Sequence, residues 1–262
     1  MMEMSGPSEI ADSGPLHGPV SSGSMCQQTL ASSQRATFKQ AHYHGERSMF
    51  VRPNWRPRTI EEHYRVIDEN PWALLINNAD DGPGVTNLPL LLDRSRGLHG
   101  TLIGHIARAN DHSRILQSAQ APTLAVFQGP YSYVTASWYP ERHMPPTYYY
   151  TSVHCYGRVR LQTDAELERW LVKLTETMES RFQDGWSVNE MDSTGMSRRI
   201  PHILGFELEI ERIEGKFKLG QDEPKKDAMA VQTRLAVSDD PSHRALAKMV
   251  NDYNAGRPDV DS

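Results

Sequence analysis

Only two cysteines, Cys26 and Cys155, occur in the 262 residues, and their surroundings have nothing in common. A disulfide framework is therefore not expected, and a reducing compartment suits such a chain. The absence of any Cys-x-x-Cys pair disfavours a structural zinc site. Basic charge is also scarce: 28 Lys and Arg against 33 Asp and Glu leave a formal net charge of −5. Nucleic-acid binders usually carry a concentrated basic stripe, so nucleic acid is not the expected partner. No apolar run nears the ~20 residues that a membrane span needs. The start lacks the basic-then-apolar layout of a secretory signal. The expectation is a cytoplasmic protein with no membrane partner. Phosphate-cradling Gly-rich loops, Gly-x-Ser-x-Gly elbows and His-Glu-x-x-His helices are missing too, which removes the commonest nucleotide, serine-hydrolase and zinc-protease signatures.

What is present divides by composition. Residues 1–47 are rich in Ser, Gly, Pro, Gln and His without apolar periodicity, and so are expected to form a disordered tail. A folded domain is expected over 48–237, then a C-terminal helix and tail over 238–262. Thr59 with Glu62, and Thr163 with Glu166, have capping-box spacing and predict two helix starts. The first helix must end before Pro71. In the second, Leu167, Trp170, Leu171, Leu174 and Met178 recur at helical spacing. Strands are predicted over 72–76, 85–92, 101–106, 123–127, 131–135 and 148–161 from their β-branched and aromatic content. Pro89 marks an edge or bulge, and Gly129-Pro130 reads as a turn. Over 205–213, Phe206, Leu208 and Ile210 alternate with Glu207, Glu209 and Glu211, as in a half-buried antiparallel strand. Closely spaced strands of this kind favour a mostly β barrel over a parallel βαβ sheet.

Four stretches could carry chemistry. Gly104-His105-Ile106-Ala107-Arg108 places an imidazole in a strand and a cation at its exit; the bland alternative is a core histidine beside a helix start. Around Gly129-Pro130, aromatics including Tyr131 and Tyr133 alternate with hydroxyls, which suits stacking on a flat ring or plain packing. In 148–156, strand alternation puts Tyr148, Tyr150, Ser152, His154 and Tyr156 on one face and Tyr149, Thr151, Val153 and Cys155 on the other. His154 and Cys155 therefore cannot both face one ligand. Finally, Lys216 and Lys218 share a strand face beyond Gly215 and could anchor an anionic cofactor arm or form a solvated basic edge.

Six ordered motifs carry a resemblance: Leu88-Pro89-Leu90-Leu91-Leu92, Gly104-His105 through Ala109-Asn110, Phe127-Gln128-Gly129-Pro130, Ser137-Trp138-Tyr139, Val153-His154-Cys155-Tyr156-Gly157 and Gly215-Lys216-Phe217-Lys218-Leu219. Together they resemble the PaiB-like proteins, described as FMN-binding negative transcriptional regulators, over roughly 49–231. That resemblance implies a mostly β FMN-binding split barrel with peripheral helices, forming a homodimer with cofactor sites at its interface. The regulators typically carry Trp-Asn-Tyr where this chain has Tyr148-Tyr149-Tyr150, and Ser-Gln-Asn where it has Gly220-Gln221-Asp222. In these departures the chain is similar to the haem-dependent piperazate synthases. That branch implies haem b in place of FMN and a small-molecule substrate, N5-hydroxy-L-ornithine, cyclised to L-piperazic acid. It further implies His105 as iron ligand, with His154 second. Arg108, Lys216 and Lys218 would hold propionates or the substrate carboxylate. Tyr133 would flank the cofactor, and Tyr149, Tyr150 and Lys218 would serve the chemistry. An FMN-binding regulator remains the alternative.

Overall fold

The two capping boxes form as the spacing predicts. Glu62 returns to the Thr59 backbone N–H, opening α1 (Ile60–Glu69). That helix ends at Asn70, one residue before Pro71. Strands β1 (Trp72–Ala79), β2 (Gly82–Pro89), β3 (Leu91–Asp93) and β4 (Thr101–Ala107) follow, then the short helix α2 (His112–Ser118). Strands β5 (Thr123–Val134) and β6 (Thr147–Leu161) lead to α3 (Asp164–Glu179), where Glu166 accepts from the Thr163 N–H at 2.8 Å. Helix α4 (Gly195–Arg199), strand β7 (Ile203–Lys218) and helices α5 (Lys225–Ala236) and α6 (Pro241–Asn254) complete the chain. This computed structural model describes residues 48–79, 82–118 and 123–258. The expected tail over 1–47, with Cys26, lies outside the described residues.

The seven strands form one antiparallel sheet in the order β2-β1-β5-β6-β7-β4-β3. Its two edges, β2 and β3, are separated in sequence by Leu90 alone. Two residues of extended chain span only about 7 Å, so the edges must meet and the sheet must close on itself. The 82–93 segment therefore serves β1 with one half and β4 with the other. Pro89 sits where the strand changes partner, which is where a residue without an N–H costs least. The expected mostly β barrel with peripheral helices is the observed fold.

Leu75, Leu90, Leu102, Phe127, Val153, Cys155, Phe206 and Leu208 are buried within the main core. Helix α6 contributes Leu246, Val250 and Tyr253 to that same core, so the C-terminal helix packs as part of the barrel domain. A second cluster under α3 joins Ile103 to Leu167, Trp170, Leu174 and Ile200 and covers one sector of the outer wall. Two expectations need correction. Gly129-Pro130 makes no hairpin turn: β5 runs through it, with a register shift between Gln128 and Tyr131 that keeps the strand paired to β6. Strand β7 is also longer than 205–213, because a shift opposite Tyr156/Gly157 restores its alternation beyond Glu211. Among the described residues no helix is long and apolar enough to cross a membrane.

Candidate functional site

One sector of the outer wall carries no helix and is unusually aromatic. It runs over β1, β5, the first half of β6 and the second half of β7. Trp72, Tyr131, Tyr133 and Tyr148 are each at least half exposed there. The register explains the grouping. Tyr133 faces Tyr148, Tyr131 faces Tyr150, Val126 faces His154, and beyond β6 Tyr150 faces Lys218, Ser152 faces Lys216 and His154 faces Glu214. Alternation puts all these side chains on the outer face.

The cations here sit among rings. Lys216 Nζ lies 5.1 Å from the Trp55 ring, 5.5 Å from Tyr150 and 5.6 Å from Phe50. Lys218 bonds Thr147 Oγ1 and the Tyr148 carbonyl and lies 5.8 Å from the Trp55 ring. Its burial disfavours the charged form, against the pull of Asp222 and Glu223. The Tyr133 and Tyr148 rings meet edge to face at 5.5 Å. His154 is half-buried; its Nδ1 lies 3.5 Å from the Tyr156 hydroxyl. Burial lowers its proton affinity more than Glu214 opposite it raises it, so the ring is neutral at neutral pH. A neutral imidazole beside cations and aromatic faces can ligate a metal carried by a planar group, with the cations on its acidic arms. Among the described residues no three His, Cys, Asp or Glu side chains gather to hold a metal ion, so a metal here would need to arrive with most of its own ligands.

The structure brings Tyr133, Tyr150, His154, Lys216 and Lys218 together but not the remaining candidates. Tyr149 is completely buried on the inner face and donates to Glu223. It cannot touch a group on the outer face, because one residue of strand turns the side chain over. Cys155 lies inside the barrel for the same reason, and burial pushes its thiol pKa up. His105 is on the outer face of β4, opposite Gly205. In one copy β7 alone lies between its strand and that of His154, but their partners on β7, Gly205 and Glu214, stand nine residues apart, roughly 30 Å of strand at about 3.3 Å each. The His105 Nδ1 is enclosed and has no hydrogen-bond partner among the described residues, and burial lowers its proton affinity. Arg108 is exposed in the turn ahead of α2, its backbone N–H held by the His202 carbonyl.

Sequence reasoning missed Phe50 and Trp55. The segment before α1 folds back over β7, where Trp55 Nε1 donates to Asp222 Oδ1 at 3.1 Å and Arg52 pairs with the same carboxylate at 3.2 Å. Asp222 thus fixes the tryptophan above Lys216. An isolated buried-size aromatic just before a capping box was the available signal.

Residues 49–212 match the family model described as "Putative FMN-binding domain". The chain belongs to that family. It is 26% identical over 204 residues to the protease synthase and sporulation protein PAI 2 of Bacillus subtilis, covering 78% of this chain and 97% of that one. It is also 26% identical over 214 residues to the uncharacterized protein AN0679 of Emericella nidulans, covering 66% and 85%. Among solved structures, an FAD- and haem-binding protein of Mycobacterium smegmatis matches with a TM-score of 0.46 and 16% identity, covering 63% of this chain and 74% of that chain. The flavocytochrome Anf3 of Azotobacter vinelandii matches with a TM-score of 0.46 and 15% identity, covering 63% and 70%.

Proposed function

We propose that the uncovered face holds haem and that the protein is a piperazate synthase, closing N5-hydroxy-L-ornithine into L-piperazic acid. The observation that carries the haem reading is His154, a neutral imidazole set among Tyr150, Tyr156 and Lys216 on an otherwise aromatic wall. The cyclase reading rests on Tyr148-Tyr149-Tyr150, which departs from the regulators as the piperazate synthases do. In the reaction, the α-nitrogen bonds to N5, the N5–O bond breaks, and one water leaves with no net oxidation or reduction. Bound here, haem iron would supply Lewis acidity at the hydroxylamine oxygen. His154 is the ligand this face offers. Lys216 and Lys218 would hold the haem propionates or the substrate carboxylate by charge-assisted bonds. Tyr150 would pass a proton to the departing oxygen. Holding the chain folded for six-membered closure contributes through effective concentration.

A second copy is part of this reading. Trp72, Val85, Tyr131 and Tyr133 leave an apolar surface that no element of the described chain covers, and such surfaces mark interfaces. His105 and Arg108 would reach the cofactor of that partner rather than their own. Light scattering on the purified protein should give the mass of a homodimer.

The FMN-binding regulator is the second reading, supported by the family model and the likeness to the Bacillus relative. Incubating the haem-loaded protein with N5-hydroxy-L-ornithine decides between them. The expected product has lost one water and contains an N–N bond. Unchanged substrate from a protein that has taken up haem would end the cyclase reading.

A further inference from the structure

A cavity of about 290 Å³ opens beside β7, lined by Ser48, Met49, Arg56, His63, Glu214 and Gly215. Its position follows from the sheet. Pairing of β7 with β4 stops at Glu209, so residues 213–215 are held by β6 on one side only. Residues 48–51 and the start of α1 then wall the open edge. Gly215 permits the close approach: a Cβ there would lie 2.4 Å from Pro57 Cγ and 2.8 Å from His63 Nε2.

Three polar groups converge on this space in complementary states. Arg56 is exposed and has no side-chain hydrogen bond or ion pair among the described residues. Glu214 is mostly buried, accepting from the Met49 N–H at 2.9 Å and from Arg212. A carboxylate has about four acceptor positions, so Glu214 retains capacity for another donor. His63 Nδ1 donates to the Thr59 carbonyl at 3.0 Å, which assigns the ring proton to Nδ1 and leaves Nε2 a lone pair. That nitrogen lies against Gly215, at the cavity wall. Arg56 and Glu214 line one cavity without pairing to each other; Arg212 already pairs with Glu214, so Arg56 is the charge left to be met, while Glu214 and His63 Nε2 offer acceptors to a donor on the same ligand.

We propose that this cavity binds a small α-amino acid, its carboxylate on Arg56 and its α-ammonium between Glu214 and His63 Nε2. The volume stands at the small end for ligand sites, which suits a free amino acid over a peptide or nucleotide. Glu214 also faces His154 across the β6–β7 pair, so the cavity adjoins the proposed cofactor face. The inference names the substrate pocket for that reading and rests on it for its role, while amino-acid binding stands by itself.

Calorimetry on the full chain without cofactor tests it, using L-ornithine as probe against putrescine, which lacks the carboxylate, and 5-aminopentanoate, which lacks the α-ammonium. L-Ornithine is expected to bind, with both analogues at least about tenfold weaker. Arg56→Gln should weaken L-ornithine by about tenfold or more; an exposed, unpartnered side chain gives this variant no reason to misfold. Equal binding of putrescine, wild-type affinity in Arg56→Gln, or no heat with L-ornithine from protein that still titrates with hemin would overturn the proposal. L-Ornithine binding by protein that takes up no hemin would support the cavity and sink the haem reading alone.

Discussion

Two histidines show how a structural imidazole differs from an available one. His112 is buried with both nitrogens engaged: Thr86 Oγ1 at 2.9 Å from Nδ1, and Asn77 Oδ1 at 3.1 Å from Nε2. Asn110 donates to Thr86, and Asn77 donates onward to Thr123, so the donors run in one direction only if His112 carries its proton on Nε2. Every partner is this chain's own. Among the described residues His105 instead has an enclosed Nδ1 with no hydrogen-bond partner, and His154 has only a long hydrogen-bond contact to Tyr156. Strand parity alone separated Tyr149 from Tyr150 and Cys155 from His154. It did not reveal which face was inside, nor that His105 and His154 stand on different sectors. Hemin titration tests the assignment: His154→Ala should lose the ligand-shifted Soret band, while His105→Ala in a protein forced to monomer should keep it. The reverse pattern would move the ligand to His105. At the buried phenol, Tyr149→Phe removes a donor from Glu223, and chemical denaturation should show a loss of about 1–3 kcal/mol. No loss would mean Glu223 is satisfied otherwise.

At the scale of elements, signals within a few residues were legible and partnerships between distant segments were not. Capping boxes, the helical stripe of α3 and the Phe206, Leu208, Ile210 alternation all read correctly, because each depends on near neighbours. The continuity of β5 through Gly129-Pro130 did not, since the bulge is decided by pairing with β6. The first turn of α3 shows how local this can be. Thr163→Ala removes the oxygen that receives the Glu166 N–H at 3.3 Å and should cost about 1 kcal/mol in thermal or denaturant unfolding. An unchanged midpoint would show the cap to be redundant. The second register shift leaves no room at Gly157, where a Cβ would stand 1.9 Å from the Glu209 carbonyl oxygen. Backbone cannot yield as a side-chain tip does, so Gly157→Ala should destabilise by about 1–3 kcal/mol.

Over the whole molecule, burial sets a pH profile. It lowers the proton affinity of His63, His105, His112 and His154 from the ordinary 6.5. The unfolded chain then binds more protons as the pH falls below 6.5, so this part of the stability is complete above that value and lost beneath it. Glu207 adds a second, lower stage. Arg96 and Arg160 hold its buried carboxylate below the ordinary 4.5, so its contribution is present above 4.5 and lost as pH falls through the folded value. Glu223 works in the opposite sense, because burial raises it. Thermal unfolding should therefore weaken from neutrality downward in two stages; a flat midpoint between pH 6.5 and 4.5 would contradict the histidine assignment.

The same scale holds the functional claim. A closed barrel with helices on one sector and a bare aromatic sector on the other needs something flat, or another copy, or both, to cover it. The direct measurement is the visible spectrum of purified protein as hemin and FMN are added in turn. A saturable Soret band with hemin, shifted by imidazole ligation, is the predicted result. A protein that stays colourless, binding neither hemin nor flavin, would contradict it.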